Sequence, residues 1–318
     1  MHMHAATPPV LLVVFNRPEQ TRLTIEALLR ERPARVYVSG DGPRAHVPTD
    51  AEQVAAVWAV IAAAPWQCEV VTNPFPENLG LARAVRGGLD WFFAAEERGV
   101  IVEDDVELGV GALALAAHLL DDGARDRRIG SISLFNTIGL DHVSEPAASY
   151  RRSMFSSSQG WGTYASAWQA SPRTLRDWRE WLPVAHLRAL GGWAFASRWS
   201  DILDSDAHEQ SATWDFTWQA ALWAAGLDTL VANRNLVRNS GFTETATFSF
   251  GEPDWWPTAF EQWAEPLVRP TSPARDARAD AWEGRQRYGV SSSAALRSSL
   301  ARRVPGLASA YRARRYGA

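Results

Sequence analysis

Between residues 9 and 136, short β-rich apolar runs alternate with longer stretches whose apolar positions recur at helical spacing. That alternation constrains the fold more than any other feature of the chain. "PVLLVVFN" (9–16) reads as a strand. "RPEQTRLTIEALLRE" (17–31) follows, with Pro18 near its start and Leu23, Ile25, Leu28 and Leu29 on a helical period. The same reading predicts strands at 35–42, 68–73, 99–102 and 128–136. It predicts helices at 49–64, 78–97 and 109–122. Repeated strand–helix units demand a mostly parallel sheet covered on both faces, so the expected class is α/β. In such sheets ligands bind beyond the carboxyl ends of the strands. The polar residues of this half sit at those ends: Asn16 and Arg17, Asp41, Asn78, and the triplet Glu103-Asp104-Asp105.

The second half is less regular and rich in Trp, of which the chain has 16. No linker separates the halves, which predicts one unit over 1–268, with a nucleotide-binding half at 9–136 and an acceptor-side half at 137–268. "RPTSPARDARAD" (269–280) reads as a loop leading to a separate tail, 269–318. The 318 residues are 46% hydrophobic and 21% charged, as in globular proteins, and the net charge of -4 argues against nucleic acid as a partner. The one cysteine, Cys68, excludes an internal disulfide. "MHMHAATPP" lacks the pattern of a signal peptide and no stretch is apolar enough to span a bilayer, so a cytoplasmic location is expected.

In "GVIVEDDVEL" (99–108) a buried strand runs into three acids. Side chains alternate along a strand, so Glu103 and Asp105 are expected on one side and Asp104 on the other. Adjacent carboxylates repel, and a cation relieves the repulsion. An all-oxygen site suits Mg²⁺ or Mn²⁺, ions that complete their shell with substrate phosphates. No G-x-G-x-x-G follows the first strand and no P-loop occurs anywhere, which argues against dinucleotide and P-loop readings. A metal-bridged diphosphate held without a glycine loop points to a nucleotide-sugar.

"VFNRP", "SGDGPR", "NLG", "GVIVEDD", "GWGTYASAW" (160–168) and "WDFTWQAALWAAGLDTLVANRNLVRNSGF" (214–242), in that order, resemble glycosyltransferases of the GT-A fold. The likeness is to bacterial family 2-like proteins of the hemolytic-protein-like group and, more faintly, to eukaryotic β-1,2-N-acetylglucosaminyltransferases. It spans about residues 9–245. It implies a Rossmann-like GT-A domain, a nucleoside-diphosphate sugar donor (a UDP-sugar by family habit) and an inverting, metal-dependent transfer to a hydroxyl of a glycan or lipid-linked acceptor. The acidic triplet then stands as the DXD-type motif, with Asp105 on the metal and Asp104 and Glu103 toward the ribose or sugar. Arg17 and Asp41, with Phe15, Asn16 and Asn78 nearby, match nucleotide-contacting positions. Trp161 and Gly162, in "QGWG", match the donor-sugar pocket. Asp215 matches the catalytic base, although this chain has "WDFTW" where the eukaryotic enzymes have consecutive acids. A helix beginning at Asp215 gives the same residue a capping role. Two other classes fit an α/β sheet with acids at its edge, a nucleotidyltransferase and a non-catalytic nucleotide-sugar or glycan-binding module. The first ordinarily carries a glycine-rich loop after strand one, and "FNRPEQT" has no glycine.

Two further expectations concern the last third. "NSGFTETATFSFGEPDWWP" (239–257) has the composition of a lid. Residues 285–318 hold eight arginines and no acid, a charge of +8 that leaves -12 on the rest of a chain whose total is -4. Leu296, Leu300 and Val304 give that stretch an apolar stripe beside Arg297 and Arg303. This suits peripheral contact with an anionic membrane, or packing against the acidic body.

Overall fold

The computed structural model describes residues 7–208, 214–241, 254–257 and 259–303, with backbone only at 208 and 299–303. Strands β1 (Val10–Val14), β2 (Arg35–Gly40), β3 (Glu69–Pro74) and β4 (Arg98–Glu103) alternate with helices α1 (Pro18–Glu31), α2 (Asp50–Ala63) and α3 (Leu81–Ala95). The short β5 (Val106–Leu108) leads to α4 (Ala112–Ala124), β6 (Ile129–Ser133), β7 (Tyr150–Ser153) and β8 (Trp161–Tyr164). Next come α5 (Ala165–Gln169), α6 (Trp178–Trp181), α7 (Val184–His208), α8 (Asp215–Ala224), β9 (Asp228–Ala232) and β10 (Val237–Asn239). Helices α9 (Ala277–Gln286) and α10 (Ser292–Arg303) follow.

Eight strands form one sheet in the order β3-β2-β1-β4-β8-β6-β9-β7, and β10 pairs with β5 in a small ribbon. β1 pairs in parallel with β2 and β4, β2 with β3, and β6 with β9, while β7 and β8 run the other way. The α/β class and the mostly parallel sheet agree with the sequence reading, and the predicted strand and helix positions of the first half lie within a few residues of those observed. Alternation along β1 shows why both faces are filled. Val10, Leu12 and Val14 join a core under α1, α2 and α4, while Leu11 faces α3 with Ile101, Trp161 and Trp218. A third cluster, Phe155, Trp199, Trp223 and Tyr288 among others, lies where α7 and α8 meet the segment after α9. Helix α7 is interrupted at Gly192, whose φ of 81° is open to glycine and costly for other residues.

The described residues from 269 to 298 pack on the body. Asp276 caps α9 by accepting the N–H groups of Arg278 and Ala279, and it also accepts the Ser144 N–H at 2.7 Å. Asp280 accepts the Ser153 hydroxyl at 2.6 Å, which ties α9 to β7. In α10, Ala295 is buried and the Ser298 hydroxyl donates to Asp201 on α7 at 2.9 Å. Leu296, expected on the apolar stripe, is 56% exposed on the opposite side. The Leu300 side chain, Val304 and the rest of the arginine-rich stretch lie outside the described residues, as do residues 242–253 of the expected lid. Among the described residues no helix is long and apolar enough to cross a membrane.

Candidate active site

The acidic triplet is where strand β4 gives out. β4 ends at Glu103, and Asp104 and Asp105 form the turn into β5. The strict alternation expected for the three acids therefore stops at Glu103, and Asp104 and Asp105 face the same cation. One Arg17 guanidinium nitrogen donates to Asp104 Oδ1 and the other to Asp105 Oδ2, the latter at 2.9 Å. The second Asp104 oxygen accepts the Phe15 N–H at 3.2 Å, and the Asp104 carbonyl accepts the Thr24 hydroxyl at 2.9 Å. Asp104 thus pins the end of β4 to the end of β1 and to α1. That role is different from facing a ribose, the one the resemblance implies. Asp105 is the residue with spare capacity: its Oδ1 is buried and accepts nothing. Burial pushes the Glu103 carboxyl up to about 8, with repulsion from Asp105 and Asp104 adding to it. Burial also raises Asp104, to about 6, while Arg17 pulls against that rise.

The ribbon of β5 and β10 brings a second segment across the triplet. Ser240 donates its N–H to the Asp105 carbonyl at 2.8 Å. A Cβ on Gly241 would lie 2.1 Å from Asp105 Oδ2, so only glycine lets the backbone pass this close. Asn239 donates to Gln159 at 2.7 Å and links this crossing to the loop before β8.

Asp41 and Asn78 come together at the ends of β2 and β3, but they serve each other. Asp41 Oδ1 accepts the N–H groups of Gly42 (2.9 Å) and Leu79 (2.8 Å), and its Oδ2 accepts Asn78 Nδ2 (2.9 Å) and the Gly80 N–H (3.0 Å). All four acceptor positions of the carboxylate are filled. Asn16 donates to Asp50 at 2.9 Å, and Asp50 also accepts three N–H groups of Arg44. Asp50, the first residue of α2, is a buried hub held down to about 2, chiefly by its bonds to Arg44. The Arg44 guanidinium lies over the Phe15 ring at 5.3 Å. Asp50 and the Arg44–Phe15 contact thus join Phe15, Asn16 and Arg44 into one shelf, the Asp41–Asn78 pair braces the loop that carries Arg44, and sequence reading missed Arg44 and Asp50.

Two donor-pocket expectations meet the core instead. Trp161 is wholly buried, and its ring packs on Trp214 and Trp218 at 5.3 and 5.5 Å between centroids, so no face is left for a sugar. Gly162 lies inside the sheet between Val100 and Ile132, where a Cβ would meet the Gly99 carbonyl at 2.7 Å. The Gly-Trp-Gly pattern is satisfied by a crowded antiparallel strand.

Asp215 opens α8 as its first residue, after Trp214. Burial raises its carboxyl above the usual range, Arg287 draws it back and Asp206 pushes it up. Asp215 also adds, as the smallest of the named causes, to the elevation of Glu103. Arg287, placed by sequence in the tail, is a site residue. It pairs with Glu283 at 3.0 Å, lies over the rings of Trp255 and Tyr288 at 5.3 and 5.0 Å, and remains 14% exposed. Nothing in an acid-free, arginine-rich segment singles it out. Trp256, beside Trp255, packs on Phe135 at 4.9 Å.

No divalent ion is needed to hold these acids together, because Arg17 already bridges two of them. Among the described residues no group of three or more His, Cys, Asp or Glu side chains is arranged as a metal cage. The buried, unpartnered Asp105 Oδ1 still fits an ion that takes one or two protein oxygens and completes its shell with water and substrate phosphates.

No family model matches the chain, and no curated protein matches it. Solved structures with similarity include the mannosyltransferase PcManGT from Pyrobaculum calidifontis, in complex with GDP-Man and Mn²⁺. The match covers 69% of this chain and 74% of that one, at 15% identity and a TM-score of 0.39. HddC from Yersinia pseudotuberculosis matches over 52% of this chain and 80% of its own, at 9% identity and a TM-score of 0.30. UTP-bound UGPase from Acinetobacter baumannii matches over 71% and 85%, at 9% identity and a TM-score of 0.33. Overlap this coarse assigns no activity and no residue role.

Proposed function

We propose that the chain is an inverting glycosyltransferase that moves a sugar from a nucleoside-diphosphate donor to an acceptor hydroxyl. One observation carries this reading: at the carboxyl end of a mostly parallel sheet Arg17 bridges Asp104 and Asp105, and one buried Asp105 oxygen is left without a partner. The ordered motifs of the GT-A resemblance support it. The nucleoside lies along the shelf of Phe15, Asn16 and Arg44. Asp41 and Asn78 act on it by holding the two loops of the shelf together.

Asp105 would hold a divalent ion, Mn²⁺ or Mg²⁺, which when bound would supply positive charge to offset that of the leaving diphosphate. Arg17 keeps Asp104 and Asp105 side by side and supplies a fixed positive charge at the same end of the donor. Asp215 takes the proton of the attacking hydroxyl. Its placement in a partly dry pocket raises its basicity, which suits the task better than an ordinary solvated carboxylate. Inversion follows if that hydroxyl approaches C1 from the face opposite the diphosphate.

The test is a panel of nucleotide-sugars in calorimetry, with and without Mn²⁺, followed by assays for hydrolysis and transfer. Binding of one donor with release of its nucleoside diphosphate supports the reading. Binding without turnover in the presence of acceptor extracts points to a sugar-nucleotide-binding module, and release of pyrophosphate to a nucleotidyltransferase.

A further inference from the structure

Arg17 holds the acidic triplet together through the one carboxylate that has capacity to spare. One of its guanidinium nitrogens donates to Asp104 Oδ1 and the other to Asp105 Oδ2 at 2.9 Å, and Glu103 adds to the field that favours its charge. The two aspartates are not equally free. Asp104 is buried, and its second oxygen accepts the Phe15 N–H at 3.2 Å, so both of its oxygens are taken. Asp105 has one oxygen on Arg17 and the other, Oδ1, buried with no partner. An ion that used Oδ1 would share its carboxylate with a guanidinium. Two cations on one carboxylate repel, and in a site this dry water screens them little.

The two sides of the Arg17–Asp105 contact differ in freedom. Asp105 is pinned from behind: its carbonyl accepts the Ser240 N–H at 2.8 Å, and the Gly241 backbone passes so close that a Cβ there would lie 2.1 Å from Oδ2. The Arg17 side chain is 24% exposed, and its other nitrogen is anchored on Asp104. The guanidinium is therefore the partner that can yield, turning about its bond to Asp104. Arg17 also directly precedes α1, whose amino end has no side-chain cap, so the space beside it favours negative charge.

We propose that Arg17 guards Asp105 against a free divalent ion. Without a donor it occupies Asp105, and it gives up that carboxylate only when a phosphate oxygen of the donor replaces it at the freed N–H. No covalent bond changes: one charge-assisted hydrogen bond to a carboxylate is exchanged for one to a phosphate. Asp104 keeps its hold on the guanidinium throughout, so the positive charge stays at the diphosphate end of the donor. The ion and the diphosphate then bind as a pair, each removing the obstacle to the other.

The guard rests on Asp105 being the ion's ligand and on a diphosphate donor, and its first measurement needs no donor. Mn²⁺ is titrated calorimetrically into the full chain, alone and then with saturating UDP or GDP. In Arg17→Met, Mn²⁺ alone binds about tenfold or more tightly than in the parent, because the competing charge is gone. The gain in Mn²⁺ affinity that the nucleotide brings, about tenfold or more in the parent, shrinks in the variant. Arg17→Lys keeps the charge but not the fork that spans two carboxylates, so its affinity for Mn²⁺ alone falls between the two. It keeps the test valid if Arg17→Met does not fold. A role confined to holding the fold lowers the melting temperature of both variants and leaves Mn²⁺ affinity where it is. Affinity for Mn²⁺ alone that is equal to or weaker than the parent's in the folded variants overturns the proposal. So does a parent that binds the nucleotide yet takes up Mn²⁺ equally well with and without it. Tighter Mn²⁺ binding in Arg17→Met by a chain that takes no UDP, GDP or nucleotide-sugar upholds the competition at Asp105 and removes the transferase reading. Turnover of a nucleotide-sugar with Mn²⁺ affinity unmoved in both variants removes the guard alone.

Discussion

At the end of β4 one guanidinium, that of Arg17, serves three carboxylates; beside β6 and β9 the guanidinium groups of Arg151 and Arg287 meet Glu283, with Asp280 and Asp276 also acting on Arg151. The residue types are the same, but the charge imbalance belongs to the first cluster. The first cluster has an unused buried acceptor, Asp105 Oδ1, and the second has unused buried donors, Arg151 Nε and Thr137 Oγ1. Proteins seldom leave such atoms without partners. The β4 cluster is therefore suited to receive positive charge, whereas the acids around Arg151 already balance the β6–β9 cluster, whose unused donors call for no more than a small neutral acceptor such as water.

The largest expected effect comes from the proposed base. Asp215→Asn keeps shape and size but takes no proton, so transfer slows by about 10²–10⁴-fold while nucleotide affinity stays within about twofold. Single-turnover kinetics beside calorimetry separates the two. A variant with the parent rate makes Asp215 a simple helix-start residue.

Removing the shared cation of the β4 cluster comes next. Arg17→Met leaves Asp104 and Asp105 facing each other without a counter-charge, and Asp104 is 3% exposed. Breaking one side of a buried pair of this kind costs about 3 kcal/mol, measured by urea unfolding at pH 7 in EDTA. Mn²⁺ recovers part of that loss and phosphate none, if the imbalance is as described. Recovery by phosphate alone would overturn the assignment of the β4 cluster as a site for positive charge.

Protons are a third way to supply positive charge to the same cluster. Burial and mutual repulsion hold the Glu103 carboxyl up at about 8 and the Asp104 carboxyl at about 6 in the fold, both above the ordinary carboxylate range. The folded chain then keeps protons that the unfolded chain has released, and stability falls as pH climbs from about 4 through about 8. Acids held low, such as Asp50 at about 2, lose their contribution only on the acid side of that window. Melting curves in EDTA should show stability falling between pH 5 and 8, with a shallower fall in Glu103→Gln. A profile that rises over the same range means Arg17 dominates the cluster.

The same contrast marks how much of the molecule its sequence discloses. The parallel half is legible because each strand there is an uninterrupted apolar run, the pattern of "VLLVV" or "GVIV", next to a helix of clear period. Strands β7 and β8 are not legible: "YRRS" spends its middle on two arginines and "WGTY" reads as a loop between glycines, and both are strands because antiparallel neighbours occupy their hydrogen bonds. Site residues follow the same rule. The strand-end acids stand out against an apolar background, whereas Arg287 sits in a stretch crowded with arginines. The Trp161 expectation fails for a different reason: glycines flank it because the sheet is tight there, and sequence does not distinguish tight packing from an open pocket.

The smallest effect expected here concerns the shelf beside the β4 cluster, and it separates contact from support. Asn78 donates 2.9 Å to Asp41 and 2.8 Å to the Gly42 carbonyl, so Asn78→Ala removes two bonds between the loops that follow β2 and β3. Each is worth about 0.5–1.5 kcal/mol net. The Leu79 and Gly80 N–H groups still hold Asp41 from the other side, which keeps the total loss near the low end, about 1 kcal/mol. Nucleotide affinity should fall by no more than about threefold, because the shelf loosens while Arg44 and Phe15 keep their places through Asp50 and Asp104. Unfolding and nucleotide titration of the one variant decide the matter. A fall in affinity well beyond the fall in stability makes Asn78 a direct nucleotide contact. A fall in stability with affinity nearly unchanged makes the Asp41–Asn78 pair the brace that keeps the shelf in shape.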